Sequence, residues 1–287
     1  AAHEAEINRI VHRLFDLTSE EIALIEATVG NPTAIKVPAS NEGKVYPLAL
    51  KGLVWNTVKS LTKKYSYVSL NAVKSELKNA SSEQPEDKTL LKALSEAIAE
   101  GIIHGAGRGW YSGISASATL DDSHTRELAD ALAKRFPFLP HYLWSTLQLN
   151  PWMHHLSGKG ILFLHIDAEG EQNVADFLRE AGWDVLLNPT SKNAGRLVPG
   201  PKSLVLRTVR RPIDTDNPLT VSTVLVDALL ENRRLNFMDE AERKEMTRRL
   251  MQKKRIDFAA LHSRLKSHKK NINDLIGKSK SGINSEF

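Results

Sequence analysis

A short apolar run at 161–166, ILFLHI, constrains this chain more than any other feature. It is too short for the core of a helix and reads as a buried strand, with Gly158 and Gly160 just before it. Residues 171–181 then place Val174, Ala175, Phe177, Leu178 and Ala181 at helical spacing, and Gly182 stands where a helix C-cap would. A second short strand, WDVLL at 183–187, is stopped by Asn188 and Pro189. Strand, helix and strand within about thirty residues predict a βαβ-like unit. A third strand (SLVLRTV, 203–209) and an apolar helix (221–231) follow the long loop at 188–202. The fold class is therefore α/β (α+β), and the C-terminal α/β domain is expected over 124–270.

The segment before this unit has a different rhythm. Residues 48–64 predict a helix with Leu50, Leu53, Val54, Val58 and Leu61 inward. A short strand at 66–68 leads to Ser69, a capping residue for a second helix carrying Leu70, Val73 and Leu77. After a polar turn at 79–86 comes a third helix over 88–100, with Leu90, Leu91, Leu94 and Ile98 inward. IIHGAGRGWYSG, at 102–113, then reads as two short strands around a glycine-rich turn. This is the order of a winged helix, expected over 45–113. Such a domain docks on duplex DNA, the third helix in the major groove and the wing on phosphates or in the minor groove. Lys88, Thr89, Lys92, Ser95 and Glu96 are expected on the outward side of the helix. His104 and Arg108 are expected on or near the wing, with Trp110 and Tyr111 bracing it. The DNA-binding candidates are Lys88, Thr89, Lys92, Ser95, His104 and Arg108. Glu96 and Glu100 would weaken phosphate contact, and protein contact is the other use of such a domain.

Charge sharpens the choice of partner. The formal charge is +5, but between Arg233 and Lys280 there are 15 Lys and Arg against 6 Asp and Glu, which leaves the rest of the chain at −4. Such a block suits a polyanion, or it is a solvated helix face. There is no cysteine, which excludes disulfides and thiolate metal sites and makes a cytoplasmic protein the expectation. No apolar run approaches the roughly 20 residues that span a bilayer, so no membrane partner is expected.

The residues offer no catalytic constellation. His141, His154, His155 and His165 fall close together, but no metal-ligand spacing joins them, and surface or interface histidines are expected. A Mg²⁺ nuclease needs an acid followed by an acid-x-Lys on the next strand. Asp184 has only Thr190-Ser191-Lys192 after it, and Asp167-Ala168-Glu169 lacks the lysine. No phosphate-binding glycine motif is present. No catalytic residue, metal or cofactor is expected. Trp144, Trp152, Met153 and Trp183 crowd a short span, which suits either a partner surface or a core.

Two family resemblances lie in these residues. The winged-helix pattern ending in GRGWYSG, then FPFLPHYLWSTLQLNPWMHH, the unit closing in DVLLNP, and STVLVDALLENRRLNFMDEAE together resemble abortive-infection type IV (AbiEi-like) antitoxins and a related uncharacterised group. The resemblance covers about residues 45–270. It implies a winged helix that represses its own promoter and a C-terminal part that opposes a cognate nucleotidyltransferase toxin. INRIVHRLFDLTSEEIALIE, within a helical hairpin expected over 1–30, is similar to the last helices of restriction-modification DNA adenine methyltransferases. The expected function is a non-enzymatic, DNA-binding autoregulator and antitoxin-like component of phage defence. The alternatives are a DNA-recognition accessory or fragment of a restriction-modification system, and a restriction-endonuclease-like nuclease. Residues 271–287 are expected to be a disordered tail.

Overall fold

The structure is a computed structural model that describes residues 46–80, 85–154, 158–209, 213 and 219–277. The expected hairpin at 1–30 and the end of the tail from 278 lie outside the described residues. The described residues belong to one compact unit that starts at Leu50, apart from the first turn of the helix that begins at Tyr46.

Helix α1 (Tyr46–Lys64) buries Val54, Val58 and Leu61 along one stripe and ends on Lys63 and Lys64, cations placed well for a helix C-terminus. Strand β1 (Val68–Ser69) runs straight into α2 (Leu70–Ala80), where the Ser69 hydroxyl accepts the Ala72 amide at 3.1 Å and so caps the helix as its sequence predicts. Helix α3 (Asp87–Ala99) buries Leu90, Ala93, Leu94 and Ala97. Gly101, at φ +69°, stops it. Strands β2 (His104–Gly105) and β3 (Trp110–Ser112) form a hairpin, and β3 lies between β1 and β2 in an antiparallel three-stranded sheet.

Leu91 and Ile98 do not point inward as expected; they are 48% and 39% exposed. The stripe at 90, 93/94 and 97 is narrower than the four apolar residues suggest. The small Ala93 and Ala97 take inward places, and the Trp55 indole donates to the Ala93 carbonyl at 2.9 Å across the α1–α3 contact.

Helix α4 (Arg126–Arg135) precedes β4 (His141–Ser145), a strand that the sequence pattern does not anticipate. Pro137 and Pro140 break the pattern just before it, and only pairing with β5 (Leu162–Asp167) makes it extended. Helix α5 (Glu171–Glu180) ends at Gly182, which has φ +81°, and leads to β6 (Asp184–Leu187). Strand β7 (Ser203–Val209) then inserts between β5 and β6, giving the order β4-β5-β7-β6 with β5, β7 and β6 parallel. The βαβ-like unit is therefore split: its two strands are parallel but not neighbours.

Alternation along the strands gives the sheet two apolar faces. Leu143, Leu162, Leu164, Leu204 and Leu206 pack with α4 and α5. Trp144, Phe163 and Val205 pack with four C-terminal helices, α6 (Val221–Leu235), α7 (Glu240–Lys253), α8 (Phe258–Ser267) and α9 (Ile272–Ile276). The tryptophans accordingly belong to cores. Trp144 is fully buried and stacked on Phe163, and Trp152 and Met153 join the same cluster, whereas Trp183 packs on the opposite face. They form no single partner surface. The expected disordered tail is also corrected at its start. Asn271 caps α9, and Ile272, Leu275 and Ile276 are buried against α7 and α6 because the Arg243 side chain holds this turn by its carbonyls.

Candidate nucleic-acid interface

Helix α3 presents Lys88, Thr89, Lys92 and Ser95 to solvent. Lys88, Lys92 and Ser95 follow i, i+4, i+7 and share one face. Leu91 and Ile98 flank that face. Glu96 is not part of it: its carboxylate pairs with Lys51 of α1 at 2.9 Å, and hydrogen bonding from that lysine holds it below the usual carboxylate range. Asp87, in the first turn, is likewise engaged by Lys74 of α2 at 2.7 Å. Two of the acids near the face are thus occupied by neighbouring helices, which local spacing could not reveal.

Arg108 sits at the tip of the β2–β3 hairpin and is exposed. The turn closes through the Ala106 amide to the Trp110 carbonyl and the Trp110 amide to the Gly107 carbonyl. Gly107 and Gly109, at φ +94° and +72°, supply the left-handed conformations that this turn requires. His104, at the base, is only half exposed; burial first, and then the charge of Arg255, lower its pKa. The six candidates therefore divide into four exposed residues of α3, three of them on one face, a hairpin tip of one, and a histidine turned partly inward.

Sequence reasoning missed what holds the hairpin. The Phe258 and Ala259 amides, at the start of α8, both donate to the Ala106 carbonyl. Trp110 and Tyr67 pack on the Phe258 ring, with centroids 4.4 and 4.7 Å away. The Tyr67 hydroxyl donates to the Lys254 carbonyl and accepts from the Ile256 amide, and burial pushes its pKa up to about 12. Arg255 binds the carbonyls of Ile114 and Ser115. Trp110 thus braces the hairpin from the C-terminal side, whereas Tyr111 is buried in the core beneath α1–α3.

Much of the basic block is spent internally. Arg233 pairs with Asp274, Arg243 and Lys244 with Glu240, Arg248 and Arg249 with Glu245, and Arg264 with Asp227. Lys253, Lys254, Lys266, Lys269 and Lys270 remain without an ion pair among the described residues.

A buried polar layer crosses the sheet. Tyr142, His165 and Arg207 lie side by side on β4, β5 and β7 by register, facing Asp227 and Glu231 of α6. His165 is 6% exposed and stacked on Tyr142, so it is not the surface histidine expected. Arg207 is held by Glu231, and Asp227 accepts from both Tyr142 and Arg264 at 2.9 Å. The signal was legible in principle. His165 and Arg207 interrupt apolar strands, and Asp227 and Glu231 stand one turn apart in an apolar helix.

Asp184 and Asp167 stand at different levels of the sheet. Asp184 pairs in register with Ser203 and Asp167 with Val209. Six residues along β7 separate those levels, about 20 Å. Among the described residues no group of three metal-ligating His, Asp or Glu side chains comes together, and no helix is long and apolar enough to cross a membrane.

Neither the curated proteins nor the solved structures contain a match to this chain. One family does match, "Family of unknown function (DUF6577)", over residues 89–281 of 287, from α3 through the hairpin and both faces of the sheet to beyond α9. On that extent, the chain belongs to the DUF6577 family.

Proposed function

We propose that this protein is a non-enzymatic, cytoplasmic DNA-binding autoregulator, with α3 in the major groove and the β2–β3 hairpin as a wing on the phosphate backbone. The observation that carries the reading is the exposed Lys88–Lys92–Ser95 face, with Thr89 exposed beside it, on the third helix of a helix–strand–helix–helix–hairpin order, with Glu96 and Asp87 drawn off by lysines of other helices. Lysines contact phosphate, while Thr89 and Ser95 can donate to or accept from base edges. The antitoxin-like role in phage defence is carried by the resemblance, and its partner would be a nucleotidyltransferase toxin encoded nearby.

Fluorescence anisotropy on the upstream DNA of its own gene, across a salt series, tests the reading. Lys88→Ala with Lys92→Ala should weaken binding. Arg108→Ala should lower affinity and reduce the slope of log K against log salt by about 0.9, the value of one lost phosphate contact. Unchanged affinity in both variants would leave α3 and the hairpin without a DNA role. Leu91 and Ile98 favour a second reading, in which α3 contacts protein. Under it, Leu91→Ser would alter self-association or capture of the neighbouring gene product while DNA binding stays absent.

A further inference from the structure

We infer that the DNA-contacting surface does not end at the wing but continues onto α8, where Lys266 and Lys269 contact the phosphate backbone beside the wing's own site. The inference rests on the DNA-binding reading and extends it to residues outside the winged-helix segment.

The hairpin and α8 form one continuous surface. They are joined by two backbone hydrogen bonds to the Ala106 carbonyl and by the Trp110–Phe258 contact. Gly107 lies so close that a Cβ there would stand 2.1 Å from the Asp257 carboxylate and 2.6 Å from the Ala259 Cβ. The wing therefore cannot be placed on DNA without bringing α8 with it. From Trp110 the surface passes to His262, whose ring centroid is 6.2 Å away. His262 is exposed, and so is Lys266 one turn on, about 6 Å further along the axis.

Unspent charge lies on that surface. Arginines of the C-terminal block are tied to acids or carbonyls, but Lys266 and Lys269 are exposed and have no ion pair among the described residues. Asp257, the acid nearest the wing, already accepts the Ala260 amide as the α8 cap.

Backbone conformation points the same way, independently of charge. Lys269 has φ +54° in the turn that closes α8. The other described non-glycine residues with positive φ are Asn188 and Asn236, and asparagine tolerates that region. A lysine adopts it at a cost of about 1–2 kcal/mol, and glycine is the usual occupant of such a turn. A helix C-terminus attracts cations, which accounts for Lys266. It does not account for a strained lysine where glycine would be easier, and strain kept at one position points to a use for that side chain.

The test sets stability against binding in the intact chain. A mixed-sequence duplex longer than two helical turns serves as probe, because phosphate contacts do not depend on sequence. Lys266→Ala and Lys269→Gly are compared with wild type, with Lys88→Ala, and with Lys134→Ala on α4, which packs on the other face of the sheet. Lys269→Gly is expected to raise the melting temperature and yet weaken binding. Each α8 variant should lower the slope of log K against log salt by about 0.9, and the double variant by about twice that. Should Lys88→Ala weaken binding while both α8 variants behave like Lys134→Ala, the extension fails and the DNA-binding reading stands. Absence of wild-type binding to any duplex would overturn both.

Discussion

Gly107 and Gly109 show how much a single residue's surroundings decide. Both have positive φ, so alanine is strained at either, by about 1–2 kcal/mol. At Gly109 an added methyl meets open space, but at Gly107 it meets Asp257, which caps α8. Moving that carboxylate loosens the cap, a further loss of about 1 kcal/mol. Gly107→Ala should therefore lower the melting temperature clearly more than Gly109→Ala, and equal shifts would mean that the hairpin is not pressed against α8. His165 is a second case. Burial, the largest influence, holds its pKa below the ordinary 6.5, aided by Arg264 and Arg207 and opposed by Asp227 and Glu231. The unfolded chain then takes up a proton that the folded chain refuses. Stability from the neutral ring is full above about 6.5 and declines as the pH falls below it. His165→Gln should flatten the fall in melting temperature between neutral pH and about pH 5. An unaltered profile would assign the acid sensitivity to other groups.

Among the elements, α6 carries the most. It is buried on nearly every side, from a Thr220 cap at one end to Asn236 in a left-handed turn at the other. Its two acids, Asp227 and Glu231, are placed one turn apart so that they meet the Tyr142–His165–Arg207 row and the Arg264 side chain. Such a layer is weak support for stability compared with a well-packed apolar substitute, but breaking one partner leaves a charge stranded. Glu231 is 1% exposed and the Arg207 side chain 9%. Glu231→Gln is therefore expected to destabilise the fold by about 3–5 kcal/mol in urea titration. A loss under about 1 kcal/mol would show that water reaches Arg207 after all.

At the scale of the molecule, α9 and α7 close the C-terminal side. Arg243 is 1% exposed and donates to the carbonyls of Asp274 and Leu275, while Arg248 reaches the carbonyl of Ile276. Truncation after Lys270 removes these acceptors and the buried Ile272, Leu275 and Ile276. It should cost at least about 2 kcal/mol, since a buried guanidinium loses two carbonyl acceptors and keeps only Glu240. A truncated chain that melts like the full one would show that α9 is dispensable.

Patterns with a period belonged to the sequence. Strands β5, β6 and β7, helices α1–α3 and α5, the Ser69 cap and the glycine that ends α5 were legible, because periodicity and capping act within a few residues. Fold class followed from the same signals. Strand β4 was not legible, since an edge strand of His, Tyr, Leu, Trp and Ser becomes a strand only through its partner. Nor could local spacing give the insertion of β7 between β5 and β6, or turn Leu91 and Ile98 outward. For the candidate site, the sequence supplied the residues: Lys88, Lys92 and Ser95 on one helical face, and Arg108 between glycines. Only the tertiary structure decided their electrostatics and support. The pairing of Glu96 with Lys51, the use of arginines inside the basic block and the seating of the hairpin on Phe258 all join residues distant in the chain. Charge pairing and packing depend on distance in space, which a linear pattern does not carry.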